Sequence, residues 1–141
     1  VEPTVGIVEA LSQQIEYELQ QKEPNIEKIC SCLRAASNSS ACALLKQMVI
    51  KILKDDCSKK IEILAIISGR SWQLLENSQV CKLFVERLAE NDAGYSGFSQ
   101  VLADALFMPG LRKHIMKALG SPKCSDNLSK RADEMFGQVR T

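Results

Sequence analysis

Apolar residues recur at spacings of three and four through most of this chain, and short polar breaks interrupt them. In the first segment Val8, Leu11, Ile15 and Leu19 stack on one face, while Glu9, Gln13, Glu16 and Gln20 lie elsewhere. A half-buried strand would alternate at every second residue instead. The pattern therefore commits the chain to an all-α fold.

The breaks divide it into segments. Pro3 suits a first helical turn, which places a helix over residues 3–22. "KEPN" stops it, because the residue before a proline avoids the helical region, and Pro24 opens a second helix that runs to Ala36. "SNSS" supplies turn formers and a cap, so a third helix starts near Ser40 and ends at Lys54. Ser58 is the expected cap of a fourth over residues 59–68, with Gly69 in the position after its end. Beyond it, Ser71 caps a turn through "WQLLE" and Ser78 a helix through "QVCKLFVERLAE". "NDAGYSG" reads as a loop, followed by a helix through "FSQVLADALF" that stops before Pro109. Another spans "PGLRKHIMKALG" with Gly120 beyond it, and a last one runs from Ser125 to Val139 with Leu128, Ala132, Met135 and Phe136 inward.

The fourth segment, "IEILAII", is apolar around nearly its whole circumference, as befits a helix surrounded by others. Its β-branched residues would also suit a buried strand; the cap, the terminal glycine and the helical neighbours favour helix. Seven or eight short helices with brief turns imply an irregular bundle or a stack of helical hairpins in a single domain, residues 1–141. In architecture this resembles short armadillo and HEAT arrays, although no third of the chain aligns on another. The resemblance carries over no functional residue. A start in mid-pattern without an initiator methionine fits a piece of a longer protein.

Length and composition bound the class. At 141 residues the chain buries about two-thirds of its unfolded surface, enough to fold without disulfide or metal. Hydrophobic residues at 45% and charged residues at 25% are ordinary for a folded domain. No apolar window reaches the roughly 20 residues of a bilayer crossing, so no membrane partner is expected. The first residues lack the basic start and apolar run of a signal peptide.

Six cysteines pose the compartment question, three of them within "CSCLRAASNSSAC" at 30–42. Cys30 and Cys32 are two positions apart, on nearly opposite sides of a helix, so they do not bond each other. Cys30, Cys42 and Cys81 sit among apolar neighbours, where cysteine behaves as a small hydrophobe, while Cys57 and Cys124 fall at helix boundaries. A Cys-x-Cys pair with one histidine does not match zinc spacing. Reduced thiols and a cytoplasmic or nuclear location are therefore expected. The alternative is a secreted, disulfide-stapled effector or carrier, for which the triplets beginning at Asn38 and Asn127 would be glycosylation acceptors.

No catalytic, cofactor or metal motif stands out. There is no Gly-x-Ser-x-Gly elbow, phosphate loop or His-Glu-x-x-His helix. His114 lies at the edge of an apolar face, and pairing it with Cys81 or Cys124 as a nucleophile has no further support. Trp72, just after a cap, suits a core position better than an exposed anchor.

Charge is segregated instead. The net charge of +1 hides six acids against one lysine in residues 1–27 and seven bases against three acids in residues 111–141. Such alternation suits charged faces, or head-to-tail self-association between copies. Two faces are candidates for partner binding. On the third helix Lys46, Ile50, Lys51 and Lys54 share a broad side, an isoleucine among cations that fits an acidic or amphipathic segment of a partner protein. Covering of Ile50 by another helix is the competing reading. Arg112, Lys113, Lys117, Lys123, Lys130 and Arg131 gather over the last two helices. Nucleic acid is the less favoured partner there, since tyrosine and tryptophan for base stacking are missing from that stretch. The expectation is a non-catalytic, helical protein–protein interaction module.

Overall fold

The computed structural model describes residues 4–140. Among them lie eight α-helices and no strand: α1 (Val5–Leu19), α2 (Ile26–Ala36), α3 (Cys42–Lys54), α4 (Ile61–Arg70), α5 (Ser78–Ala89), α6 (Gly94–Leu106), α7 (Arg112–Leu119) and α8 (Asp126–Arg140). Two 3-10 turns, Asp56–Lys59 and Trp72–Glu76, flank α4. The chain is all-helical, an irregular bundle with a recognisable order. α1 packs on α3, α3 on α5 and α5 on α7, while α2 packs on α4 and α4 on α6. Two layers of helices thus lie side by side, and α8 closes one end against α5, α6 and α7.

Local chemistry sets most boundaries. The Thr4 side chain accepts from the Ile7 amide at α1, and Asn25 accepts from Lys28 N at 3.2 Å at α2. Asn77, one residue before the expected Ser78, caps α5 through the amides of Gln79 and Val80. Each fills a backbone donor that the first helical turn leaves without a partner. The expected start of α1 at Pro3 lies outside the described residues.

Other expectations are corrected as well. The Ser71 side chain makes no cap bond to the turn that follows it. Ser58 does not cap α4; it is buried within the 3-10 turn, donating to the Asp55 carbonyl at 2.8 Å. Asp92, from the loop after α5, accepts from the Ile61 amide at 2.9 Å and does that work. Gly69 does not end α4, which continues to Arg70. Glycine costs a helix only about 1 kcal/mol, less than the burial of Ile66 and Ile67 beside it returns. "NDAGYSG" is not loop throughout, since α6 begins at Gly94. Gly94 turns the corner at φ 70°, a conformation side chains avoid.

Nor is α4 enclosed on all sides. Ile63, Leu64, Ile66 and Ile67 are buried, but Glu62, Ala65 and Gly69 form a strip open to solvent. The element at the centre is α5, which touches α3, α4, α6, α7, α8 and both 3-10 turns. Its Phe84 and the facing layer's Phe98 are fully buried, each contributing about 1.5–3 kcal/mol.

Helix ends in the middle of the stack are closed by α5 and its loop. Arg87 donates through Nε to the Leu53 carbonyl at 2.7 Å and through its terminal nitrogens to the Lys54 carbonyl and the Asp56 carboxylate. Its positive charge also suits the negative end of the α3 dipole. Glu86 accepts from both the amide and the hydroxyl of Ser125, whose Oγ in turn accepts from Leu128 N at the start of α8. Buried Asn91 ties the α5–α6 loop by donating to the Leu88 and Gly94 carbonyls.

Candidate protein-binding surfaces

The α3 face is largely occupied within the fold. Ile50 is partly buried against the core, which is the covered reading. Lys46 is half-buried, and Lys51 is ion-paired with Glu16 of α1. Lys54 is exposed, with its carbonyl taken by Arg87. Ile50 is thus not the freely exposed apolar spot that the spacing suggested.

The C-terminal cations divide. Arg112, Lys113 and Lys117 are all exposed on α7, on the side opposite the buried Leu111, Ile115 and Ala118. Successive helical residues turn by about 100°, so Met116 falls between Arg112 and Lys113 on that same outer face. Met116 is 41% exposed. Phe107, at the end of α6 just before the turn into α7, is 87% exposed. Arg131 instead turns inward, its Nε donating to the Ala89 carbonyl at 3.4 Å and its guanidinium meeting Glu134. Lys130 is exposed on α8, and Lys123 lines a small hollow with Lys82 and Glu86. The pattern of an apolar group among cations is present, then, but on α7. Sequence reasoning missed Met116 and Phe107; a helical projection of α7 would have found the methionine.

A second exposed face belongs to α1. Its inner side holds Val8, Leu11, Ile15 and Leu19. Its outer side presents Ile7, Ala10, Gln14 and Tyr17, all exposed, with Ile7 at 51% and Tyr17 at 59%. The three acids of α1 lie off this stripe: Glu18 is buried and accepts from Asn25 N, Glu16 meets Lys51, and Glu9 is exposed beside it.

A cleft of about 540 Å³ runs beside α2, lined by Ile26, Glu27, Cys30, Ser31, Arg34, Lys60, Glu62 and Asp92. Its charges alternate in sign, and Lys60 is paired with Asp92. It offers no uniform field to a charged ligand.

The six cysteines are free thiols. α2 lies between α1 and α4, and each of its thiols faces a different neighbour. Cys30 sits near Glu62 and Cys32 near Glu18; burial raises both above the ordinary thiol value. Cys42 is exposed rather than buried, because it occupies the outer side of the first turn of α3. Burial pushes Cys57 up to about 12, helped by its hydrogen bond with Asp55, and Cys81 up to about 11. Cys81 does approach His114, but its thiol meets the backbone carbonyl at 3.7 Å rather than the ring. A thiol so placed is protonated at neutral pH and is a poor nucleophile. Trp72 is partly buried against the core. Among the described residues no group of three His, Cys, Asp or Glu side chains is placed to hold a metal ion. No helix among them is long and apolar enough to cross a membrane.

Residues 2–136 match a family described as proteins of unknown function, DUF3549, and the chain belongs to that family. No curated protein and no solved structure matches it.

Proposed function

We propose that this DUF3549 chain is a non-catalytic interaction module that binds an acidic, amphipathic helical segment of a protein partner on the outer face of α7. One observation carries the reading: Met116 is exposed among Arg112, Lys113 and Lys117 on the outer face of α7, and Phe107, at the end of α6 before the turn into α7, is almost fully exposed. An isolated solvated face would carry the cations without the large apolar groups. Together they supply apolar contact area with a rim of one charge, which attracts and orients an oppositely charged amphipathic helix. Behind that face α7 is packed on α5, capped by Asn77, and on α8, capped by Ser125, which hold it in place, so little ordering cost is added on binding. A cytoplasmic or nuclear setting fits the free thiols best.

The test uses a fluorescently labelled designed helix of about five turns, leucine on one face and glutamate elsewhere. Anisotropy should report binding that the pair Lys113→Glu and Lys117→Glu weakens at least tenfold. Lys51→Glu, on the face already occupied, should leave it unchanged. A DNA duplex serves as the counter-probe: binding of the duplex in preference to the peptide, with a steep salt slope, would replace this reading with nucleic-acid recognition.

A further inference from the structure

The outer faces of α1 and α7 are complementary, and we infer that they meet: copies of this chain associate head to tail, α1 of one seated on α7 of the next. This rests on the reading of α7 above and names its occupant.

The first observation is the stripe on α1. Ile7, Ala10, Gln14 and Tyr17 follow one another at three, four and three residues, the spacing of a helix–helix seam. At 100° per residue they fall within an arc of about 80° that holds no charged group. A helix at the end of a stack ordinarily shows water a polar outer face, because nothing covers it. α1 has instead an apolar inner face and a second, uncharged outer face bearing a half-exposed isoleucine and tyrosine.

The second observation is order. α1, α3, α5 and α7 form one layer, each packed on the one before, so α1 and α7 are its two ends. The exposed residues of α7 lie opposite those it buries within the bundle. Adding α1 of a second copy there extends the layer by one more helix of the same kind.

The third is charge. Residues 1–27 carry six acids against one lysine, and residues 111–141 carry seven bases against three acids. Two α1 stripes brought together would set like-charged ends side by side. An α1 stripe set on α7 places Glu9 and its acidic segment near Arg112, Lys113 and Lys117, a pairing that steers the two ends together. Such a contact joins two different surfaces, so it leaves a free one at each end and continues rather than closing at a dimer.

Sedimentation velocity at low salt, from micromolar to near-millimolar protein, tests it. The wild-type weight-average mass should climb past that of a dimer, and moderate salt should reverse the climb. Tyr17→Lys, which sets a cation against those of α7, blocks only the α1 surface, and Lys113→Glu with Lys117→Glu blocks only that of α7. Each variant alone should stay monomeric, whereas their equimolar mixture should form a dimer and stop there, since one intact surface remains on each. Circular dichroism verifies that both are folded, with Ala10→Lys as a second α1 variant. A wild-type chain that stays monomeric throughout overturns the inference, as does a dimer lost in Tyr17→Lys but retained in the double lysine variant. The designed acidic helix separates this failure from failure of the α7 reading. If it binds Tyr17→Lys and not the lysine variant while the wild type remains monomeric, α7 binds a foreign segment and self-association is wrong. If it does not bind the wild type, the α7 reading itself falls.

Discussion

Arg87 reaches from the last turn of α5 to the Leu53 carbonyl at 2.7 Å, at the end of the neighbouring α3. Leu53 also accepts from the buried Ser58 hydroxyl, at 3.3 Å, so two donors from outside the helix replace the amides its last turn lacks. Arg87→Ala removes one of these and also frees the Lys54 carbonyl and the Asp56 carboxylate. A hydrogen bond involving a charged group contributes about 1.5–3 kcal/mol, so urea denaturation should show a loss in that range. Arg87→Lys should recover only part of it, because an ammonium cannot span three acceptors with the planar fork of a guanidinium. A loss below about 0.5 kcal/mol, the level of an ordinary surface change, would show that water replaces these bonds at no cost.

Glycine gives a test with opposite signs at two positions. A Cβ at Gly97 would lie 2.5 Å from Asn91 Oδ1, 2.8 Å from Ala93 Cβ and 3.1 Å from Ile61 Cδ1. The missing side chain therefore lets α6 sit close to α4 and to the loop that caps it. Gly97→Ala should destabilise by about 1–3 kcal/mol despite alanine's better helix propensity. At Gly69, inside α4, a Cβ meets nothing within 4 Å, so Gly69→Ala should stabilise by about 0.5–1 kcal/mol. Thermal unfolding of both variants beside wild type decides the matter, and equal signs would refute the packing argument.

The thiols should separate by reactivity. With a chromogenic disulfide reagent under native conditions Cys42 should react first, being exposed, while Cys81 and Cys57 should wait for unfolding. Stability should also depend on alkaline pH. In the folded state burial holds Cys81 at about 11 and Cys57 at about 12, above their ordinary 9.0. Below 9.0 both states keep the protons and the contribution is fully present. Above it the unfolded chain ionises first, so stability drains away as pH rises toward 11 and 12. Replacing both cysteines by alanine should flatten that part of the profile measured by chemical denaturation.

At α8 the cap is built from two separate segments, Ser125 before the helix and Glu86 of α5. Ser125→Ala loses the acceptor for Leu128 N and leaves Glu86 without its hydroxyl donor. A loss of about 1 kcal/mol is expected, typical of a helix N-cap. Helical content should fall with it if α8 frays.

The fold was legible in the sequence wherever its cause is local. Three- and four-residue spacing located α1 to α8, but Pro24 and Pro109, read as the starts of helices, lie in the breaks before α2 and α7. What escaped was set by partners distant along the chain. Ser58 had the right chemistry to cap α4, yet the Ile61 amide is taken by Asp92, thirty-one positions further on. Glycine at 69, 94 and 97 looked like punctuation, but only Gly94 turns a corner, while Gly97 makes room for a neighbour. The cations of α7 were found from their density in the sequence. The methionine among them was not, because exposure of Met116 depends on which side α7 turns toward α5.

The placing of caps on α5 bears on how the chain comes apart. A stack held only by contacts between neighbours can fray from its ends, each rung melting on its own. Here Arg87 fastens α3, Asp92 fastens α4 and Glu86 fastens α8, so backbone groups on both sides of the molecule answer to one twelve-residue helix and the loop behind it. Amide hydrogens at the end of α3 and the start of α8, far apart in sequence, should exchange with deuterium through the same opening event and with the same free energy.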